Sequence, residues 1–186
     1  EFEKNGETII DIDNSLVTNS TGGKLLNVTS RLINQATTNS TGSQSTWTPT
    51  IPDSANDYFG IVVSPLSATS KILFTGFVMA ACSDAGQVHL ELMKDGSPIT
   101  EANARNASSK RASHSGGITT QGAGCVAIPI NYLYSPGSTT PFAFHVRLSH
   151  ESGSTRTINL NRSGGDSDNA KYGRYCSVFT AMEFAS

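Results

Sequence analysis

The chain has 186 residues, of which 37% are apolar and only 15% are charged, and its formal net charge is −2. This length suits one medium-sized domain with a sizeable core and a short appendage. The few basic residues are scattered along the sequence, which excludes the positive patch of a nucleic-acid-binding protein. No apolar run approaches the roughly 20 residues of a membrane-spanning helix, so we expect neither nucleic-acid binding nor membrane insertion.

The first part of the chain predicts short strands joined by polar turns. Residues 8–14 read TIIDIDN, in which Ile10 and Ile12 share one side of a short strand. The pentapeptide TNSTG occurs at residues 18–22 and again at 38–42, and it predicts a turn on each side of the strand-like segment Leu25 to Ile33. We interpret residues 1–45 as an N-terminal connecting and assembly segment.

Residues 46–186 predict an all-β domain, because apolar residues recur with a period of two between clusters of Gly, Pro, Ser and Asp. An Asp-Gly pair at residues 95–96 ends one such strand and predicts a hairpin. Residues 101–124 have few bulky apolar groups and predict a long loop or an irregular edge. Seven to nine strands in this arrangement predict a two-sheet antiparallel sandwich of Greek-key or jelly-roll type.

The strand nearest the end of the sequence is apolar on both sides. Val178, Met182 and Phe184 alternate with Phe179 and Ala181. One side then faces the domain core, and the other contacts neighbouring subunits of an oligomer. The alternative is a central strand whose second side is covered by the N-terminal segment.

Three segments resemble a family of structural proteins and fibre ends encoded by tailed bacteriophages. They are GKLLNV at residues 23–28, IVVSPLSATSKILFTGFV at 61–78 with LMKDGSPI following at 92–99, and SVFTAMEFA at 177–185. The resemblance implies a jelly roll of the complement-component and tumour-necrosis-factor type. It also implies a homotrimer with its last strand near the threefold axis, and therefore an interface containing Val178, Met182 and Phe184.

Candidate contact residues for a host-surface glycan or protein are exposed aromatic and polar groups, because sugar faces stack on aromatic rings. Tyr132, Tyr134 and Tyr172 qualify by type, and the loop at residues 108–117 adds charge. The alternatives are aromatic residues of the core or an interface, and a solvated linker. The candidates in that loop are Lys110, Arg111 and His114.

The sequence contains no constellation that predicts catalysis. The four histidines lack metal-ligand spacing, and we expect them to be polar residues on the outward side of strands. The turn GGDSDN at residues 164–169 could offer oxygen ligands to calcium but lacks the twelve-residue calcium-loop pattern. We expect three buried, reduced thiols, with one disulfide as the alternative. We therefore predict no catalytic residue, no metal, no cofactor and no enzymatic activity.

Together these expectations indicate a virion structural protein on the particle surface, a trimeric fibre or tail-appendage module that binds other virion proteins and the host surface. A capsid-decorating head fibre and a secreted carbohydrate-binding module are the alternatives. A glycan hydrolase is a further one, although dispersed carboxylates favour it least.

Overall fold

The structure is a computed structural model that describes residues 2–4, 7–9, 23–42, 45–51, 57–84, 86–104, 113–119, 124–151, 154–165, 170 and 172–186, with backbone alone for the first two segments. All regular elements in these ranges are β-strands. Strands β1 (Phe2–Lys4) and β2 (Glu7–Ile9) form an antiparallel hairpin. The remaining twelve strands form two antiparallel sheets, which confirms the predicted all-β sandwich of jelly-roll type.

Sheet I is four strands wide. Its edge strand β11 pairs with β7, and β7 pairs on its other side with β14 along one half and with β13 along the other. Strand β14 then pairs with β3, and β13 pairs with β4. The strand bounds are β3 (Leu25–Ile33), β4 (Thr37–Thr41), β7 (Lys71–Cys82), β11 (Val126–Tyr134), β13 (Arg156–Leu160) and β14 (Ser177–Phe184).

Sheet II has the same width. Strand β8 pairs with β10 and β9 on one side and with β12 on the other, and β12 pairs with β5 and β6. Asp95 and Gly96 join β8 to β9 with φ angles of 47° and 81°, as a type I′ hairpin turn requires, so the predicted hairpin is confirmed. The bounds are β5 (Thr46–Trp47), β6 (Gly60–Val63), β8 (Gly86–Lys94), β9 (Ser97–Pro98), β10 (Ser115–Thr119) and β12 (Phe142–His150).

The structure corrects one sequence prediction about a turn and decides between the two alternatives for residues 101–124. The second TNSTG copy is not a turn but strand β4, because its hydroxyl groups bond across to β13, as in the 3.0 Å contact between Ser40 Oγ and Thr157 Oγ1. Residues 101–124, for which we predict a long loop or an irregular edge, contain the edge strand β10, whose two glycines fit beside β8. Turn-forming composition does not prevent a strand when a neighbouring strand supplies the hydrogen bonds.

Strands β3 and β4 lie inside the segment of residues 1–45 for which we predict a connecting role. Both are hydrogen-bonded into sheet I, so residues 25–41 are an integral part of the sandwich. Strand β3 lies beside β14 in the same sheet and not on top of it. A connecting role for the segment as a whole stays a prediction.

The core lies between the two sheets and contains the inward-facing aromatic residues of both. Phe74 of sheet I stacks on Phe144 of sheet II with ring centroids 3.6 Å apart. Phe59 meets Phe179 edge-on at 6.0 Å. All four rings are at most 1% exposed. Burying a ring of this size stabilises the fold by about 1.5 to 3 kcal/mol, so these contacts hold the sheets together.

Polar contacts link the sheets at both open sides of the sandwich. On one side the Arg31 guanidinium of β3 binds both carboxylate oxygens of Asp57, just before β6. Hydrogen bonding to Arg31 holds the pKa of Asp57 below its usual range. On the opposite side His114 and Ser115 reach from sheet II to the backbone of β11. The sandwich is therefore joined along both sides.

The outer side of sheet II carries polar side chains that the chain itself buries. His145 is fully buried, its ring stacks 3.9 Å from that of Tyr58, and its Nε2 accepts a hydrogen bond from the Gly96 amide. His145 lies on the outward side of β12, as predicted, but Tyr58 covers it, whereas the outward prediction is wrong for His150, which is buried on the inward side opposite Val88. Beside it, Arg147 Nε donates to a carboxylate oxygen of Glu91 at 2.6 Å, and Glu91 is only 9% exposed.

Candidate functional site

Strand β14 is central in sheet I, and its side chains alternate strictly between the two sides. Phe179 and Ala181 are buried in the core. Val178, Met182 and Phe184, which we predict to form a subunit interface, point away from the core and are half-buried. Their flanking strands shield them in part, but no described strand lies above them. The predicted alternation is confirmed, whereas the interface itself stays a prediction.

The neighbouring strands extend the outward side of β14 into a wider surface. Because residues that are directly opposite in antiparallel strands point to the same side of a sheet, the register defines rows that run across β3, β14, β7 and β11. We call this surface the outer face. Its rows are Leu32, Val178, Phe77 and Pro129; then Ser30, Thr180, Thr75 and Asn131; then Val28, Met182, Leu73 and Leu133; and finally Leu25, Phe184 and Lys71.

The outer face exposes large apolar side chains next to one another. Leu32 is 63% exposed, Leu133 58% and Val28 51%. The rows cover about 20 Å along the strands and about 15 Å across them, given normal strand spacing. Single exposed apolar residues are ordinary on soluble proteins, but a contiguous apolar surface of this extent usually marks an interaction site.

Charge is absent from the three inner rows of the outer face. The one cationic residue in the rows, Lys71, lies at the margin, where its Nζ donates to Ser135 Oγ at 2.7 Å. The other half of sheet I, formed by β4 and β13, presents polar groups on the same side, including Ser40 and Thr157. The apolar character is therefore confined to the part of the sheet built around β14.

Two inward features position β14. The buried Glu183 carboxylate accepts hydrogen bonds from the amides of Leu66 and Ser67 at 2.9 to 3.2 Å, which ties the loop before β7 to the end of β14. Gly76 has a φ of 146°, and a Cβ at that position would lie 2.0 Å from the Val178 carbonyl oxygen. Only glycine lets β7 approach β14 this closely.

His114, a candidate contact residue, holds two strands and a loop together. Its Nδ1–H donates a hydrogen bond to the Ala102 carbonyl oxygen at 2.8 Å, and its Nε2 accepts one from the backbone N–H of Asn131 at 3.3 Å. The neighbouring Ser115 Oγ donates to the Pro129 carbonyl at 2.7 Å. Both ring nitrogens of His114 are thus engaged within the fold.

Tyr132 and Tyr134 lie on the inward side of β11, partly buried against the core at the open side of the sandwich. Tyr134 packs edge-on against Phe142, with ring centroids 5.4 Å apart. Burial raises the pKa of Tyr132, and the nearby Glu101 carboxylate adds to this. Tyr134 lines an open groove of about 370 Å³ together with Lys94, Asp95, Ser97, Pro98, Ile99 and Glu101.

The remaining candidate contact residues are not brought together with these. The Tyr172 ring lies over Gly165, where a Cβ would be 2.0 Å from the ring Cε1 atom. Lys110 and Arg111 lie outside the described residues, as do Asp166 and Asp168 of the turn considered for calcium. The structure therefore unites the predicted interface residues on one surface and places two of the six candidate contact residues, Tyr132 and Tyr134, side by side, with ring centroids 6.3 Å apart; Tyr134 lines the groove.

Within the described ranges no three His, Cys, Asp or Glu side chains are grouped so that they could hold a metal ion. The three cysteines are free thiols, and the prediction that all are buried is wrong for Cys176, which is exposed just before β14 begins. Cys125 is half-buried, and burial raises its pKa to about 11. Among the residues described, no helix is long and apolar enough to cross a bilayer.

Sequence reasoning found the interface candidates on β14 but missed those on β3, β7 and β11. Leu73, Phe77 and Leu133 alternate with core residues along their strands, so each strand carries the same two-sided apolar signal as β14. The signal was therefore present in the sequence. That these strands are neighbours, and in which register, follows only from the structure.

No protein-family model matches the chain, and no curated protein matches it. Among solved structures, the chain is similar to one described as the structure of infectious bursal disease virus, Gx strain. The TM-score is 0.39 and the sequence identity is 15%, over 85% of this chain and 40% of that one. The chain thus spans less than half of that protein's length.

Proposed function

We propose that this chain is a virion structural protein of a bacteriophage, a homotrimeric fibre or tail-appendage module on the particle surface that acts by binding and not by catalysis. The observation that carries the proposal is the exposed outer face of sheet I, which carries no charge outside the marginal row of Lys71. The resemblance of three ordered segments to tailed-phage structural proteins supports the viral assignment and the trimer.

The occupant of the outer face is a second copy of this chain. A partner selected by charge finds no complement there, because the three inner rows hold no ionised side chain. A surface with one apolar row on each side of a polar row is complementary to copies of itself, since apolar rows can contact apolar rows and the polar row can contact another polar row. Association would remove Leu32, Val28 and Leu133 from water, and this apolar burial drives assembly.

The test is the molar mass of the purified protein at micromolar concentration, measured by light scattering after size exclusion. We expect a trimer for the natural chain and a folded monomer for Leu32→Asp. Leu32 is already 63% exposed, so a single copy tolerates the introduced carboxylate, whereas a covered outer face would bury it. The matched control is Ile118→Asp on β10, where Ile118 is 72% exposed and points to the outer side of sheet II. A monomeric natural chain, or a trimer that tolerates Leu32→Asp, would contradict the proposal.

Attachment to the host surface uses the groove beside Tyr134. The groove combines a half-buried aromatic ring with the charged groups of Lys94 and Glu101, which is the combination that recognises sugar rings and their hydroxyl groups. Because neighbouring residues of a strand point to opposite sides, Tyr134 faces away from Leu133 and the outer face. The groove therefore stays open when copies associate.

The attachment proposal is tested by adding purified protein to host cells before phage adsorption. We expect the natural chain to compete with adsorption and Glu101→Ala, an exposed position, to compete less. The control Thr155→Ala, exposed just before β13 and at the opposite end of β7 from Tyr134, should compete fully. Equal competition by all three proteins would exclude the groove. Breakdown of host polysaccharide during the incubation would instead favour a glycan hydrolase, and labelling of capsids in electron micrographs a head fibre.

A further inference from the structure

The outer face carries one polar row between two apolar ones. This row consists of a serine, two threonines and an asparagine, one from each of four adjacent strands, and its members are Ser30, Thr180, Thr75 and Asn131. The rows directly above and below it hold only aliphatic, aromatic, methionine and proline side chains. A surface intended only for apolar burial has no need of such a row.

The hydrogen bonds of the polar row are incomplete within one copy. Ser30 Oγ and Thr180 Oγ1 lie 3.0 Å apart and satisfy each other. No side-chain hydrogen bond to Thr75 or Asn131 is formed by the other described residues, and Asn131 is exposed to water. Once the face is covered, these two side chains need new partners, because a buried polar group without a hydrogen bond is costly.

Symmetry determines which partners they find. Rotation about a threefold axis parallel to the strands keeps every residue at its own height along the axis. Each row of the outer face therefore meets the same row of the neighbouring copies, and the interface becomes a stack of layers: apolar, polar, apolar. We infer that the polar row forms a buried hydrogen-bonded layer between copies, with Thr75 and Asn131 bonding across the boundary, and that this layer fixes the number and register of the subunits.

The inference rests on the proposed trimer but goes beyond it. The apolar rows supply the drive to associate, which is non-directional and permits several stoichiometries and sliding by two residues. A polar layer penalises every arrangement in which Thr75 or Asn131 meets an apolar row. Buried polar residues specify register and oligomer number in this way in helical assemblies. A wholly apolar partner or a lipid surface would leave both side chains unsatisfied.

The first test replaces the row's hydroxyl groups with methyl groups of the same shape, in the double variant Thr75→Val and Thr180→Val. Native mass spectrometry should show one trimeric species for the natural chain and a mixture of oligomers for the double variant. The control is Thr157→Val, because Thr157 makes a similar 3.0 Å contact with Ser40 in the polar half of the same sheet. It should leave a single trimer.

The second test adds a charge to the layer with Asn131→Asp, an exposed position that the monomer tolerates. We expect the concentration at which trimers dissociate to rise by at least about tenfold, because the charge would be buried without a partner. Asn39→Asp, exposed on β4, is the control and should not change it. This arm decides the question if the valine variant does not fold.

The outcomes separate the two proposals. A natural chain that is monomeric overturns both. A natural trimer whose valine variant remains a single trimer, or whose Asn131→Asp variant dissociates no more readily than the control, overturns the polar layer and leaves the trimer standing. A mixture of oligomers in the first test together with selective dissociation in the second supports the layer, and the second test alone decides if the valine variant does not fold.

Discussion

The two outer sides of the sandwich contrast in an unexpected direction. The middle of the outer side of sheet II carries the polar groups His145 and the Glu91–Arg147 pair, and the chain places Tyr58 over the histidine. Val62 and Ile118 on the two edge strands of this side stay exposed. The outer face of sheet I is apolar around β14, yet it is open, with Leu32 63% exposed. If intramolecular stability alone had determined the covering, the apolar side would be the one covered.

This difference indicates that the two sides serve different ends. The covered polar side uses specific hydrogen bonds and a ring stack to fix the loop before β6 against the sheet. The open apolar side contributes little to the stability of one copy and is available to another. A substitution on the open side should therefore change association, and a substitution on the covered side should change the free energy of unfolding.

The largest effect is expected from Met182→Asp, at the centre of the outer face. Burying an unpaired carboxylate costs about 3 kcal/mol or more, so the dissociation constant of the assembly should rise at least about 100-fold. Analytical ultracentrifugation over a concentration series measures this. Val62→Asp, which is 56% exposed before substitution but belongs to sheet II, is the control. An assembly that is indifferent to Met182→Asp would mean that the face stays in water.

Tyr58→Ala uncovers the opposite side and should act on the fold. The loss of the ring that stacks 3.9 Å from His145 should lower the free energy of unfolding by about 2 kcal/mol, since a half-buried aromatic contact is removed. Urea unfolding at fixed protein concentration gives the value, and Tyr58→Phe should retain most of it. Loss of the trimer without loss of stability would reverse the assignment of the two sides.

Acidification should weaken the covered side more than the open one. Burial lowers the pKa of His145 below 6.5, although the nearby Asp95 charge partly opposes this. Below pH 6.5 the unfolded chain therefore takes up a proton that the folded chain resists. The free energy of unfolding decreases as the pH is lowered, by at most about 1.4 kcal/mol per pH unit. Unfolding measured from pH 7 to 5 should show this slope in the natural chain and lose it in His145→Gln. Parallel curves would mean that His145 accepts the proton in place.

The smallest effect is expected from Lys71→Ala, at the margin of the outer face. An exposed lysine bonded to a serine hydroxyl typically changes stability or association by less than about 0.5 kcal/mol. Isothermal dilution calorimetry of the assembled protein measures the change in the free energy of association. A change as large as that of Met182→Asp would show that the interface is centred on the edge of the sheet and not on its middle.

The strands were predictable where large apolar residues occupy one side of the strand with a period of two. The alternation of Phe142, Phe144, Val146 and Leu148 predicts β12, and the structure buries all four. The second TNSTG copy was not predictable, because the same residues form turns or strands according to whether a partner satisfies their hydroxyl groups. For Thr38 that partner is Asn159, which lies 121 residues away in the sequence.

The site was predictable only in part. The two-sided pattern of β14 identifies Val178, Met182 and Phe184, since alternation with a period of two can be recognised without knowing which strands pair with β14. The rows of the outer face require the pairings of β14 with β3 and β7, and the sequence does not encode these locally. His114 shows the converse: an accessible, charged loop predicts a contact residue, whereas both of its ring nitrogens bond within the fold.

The central position of β14 has a consequence for biosynthesis. Strand β3 has β14 as its ladder partner in sheet I, and the paired residues Ser30 and Thr180 are separated by 150 residues. At translation rates of 5 to 20 residues per second, β3 would wait roughly 8 to 30 s for that partner. During this delay Leu25, Val28 and Leu32 have no ladder to join, and the interspersed Asn27, Ser30 and Arg31 keep the waiting strand soluble. The part of sheet I built around β14 is therefore the last to form during synthesis, and in the proposed trimer copies associate only after β14 has joined β3.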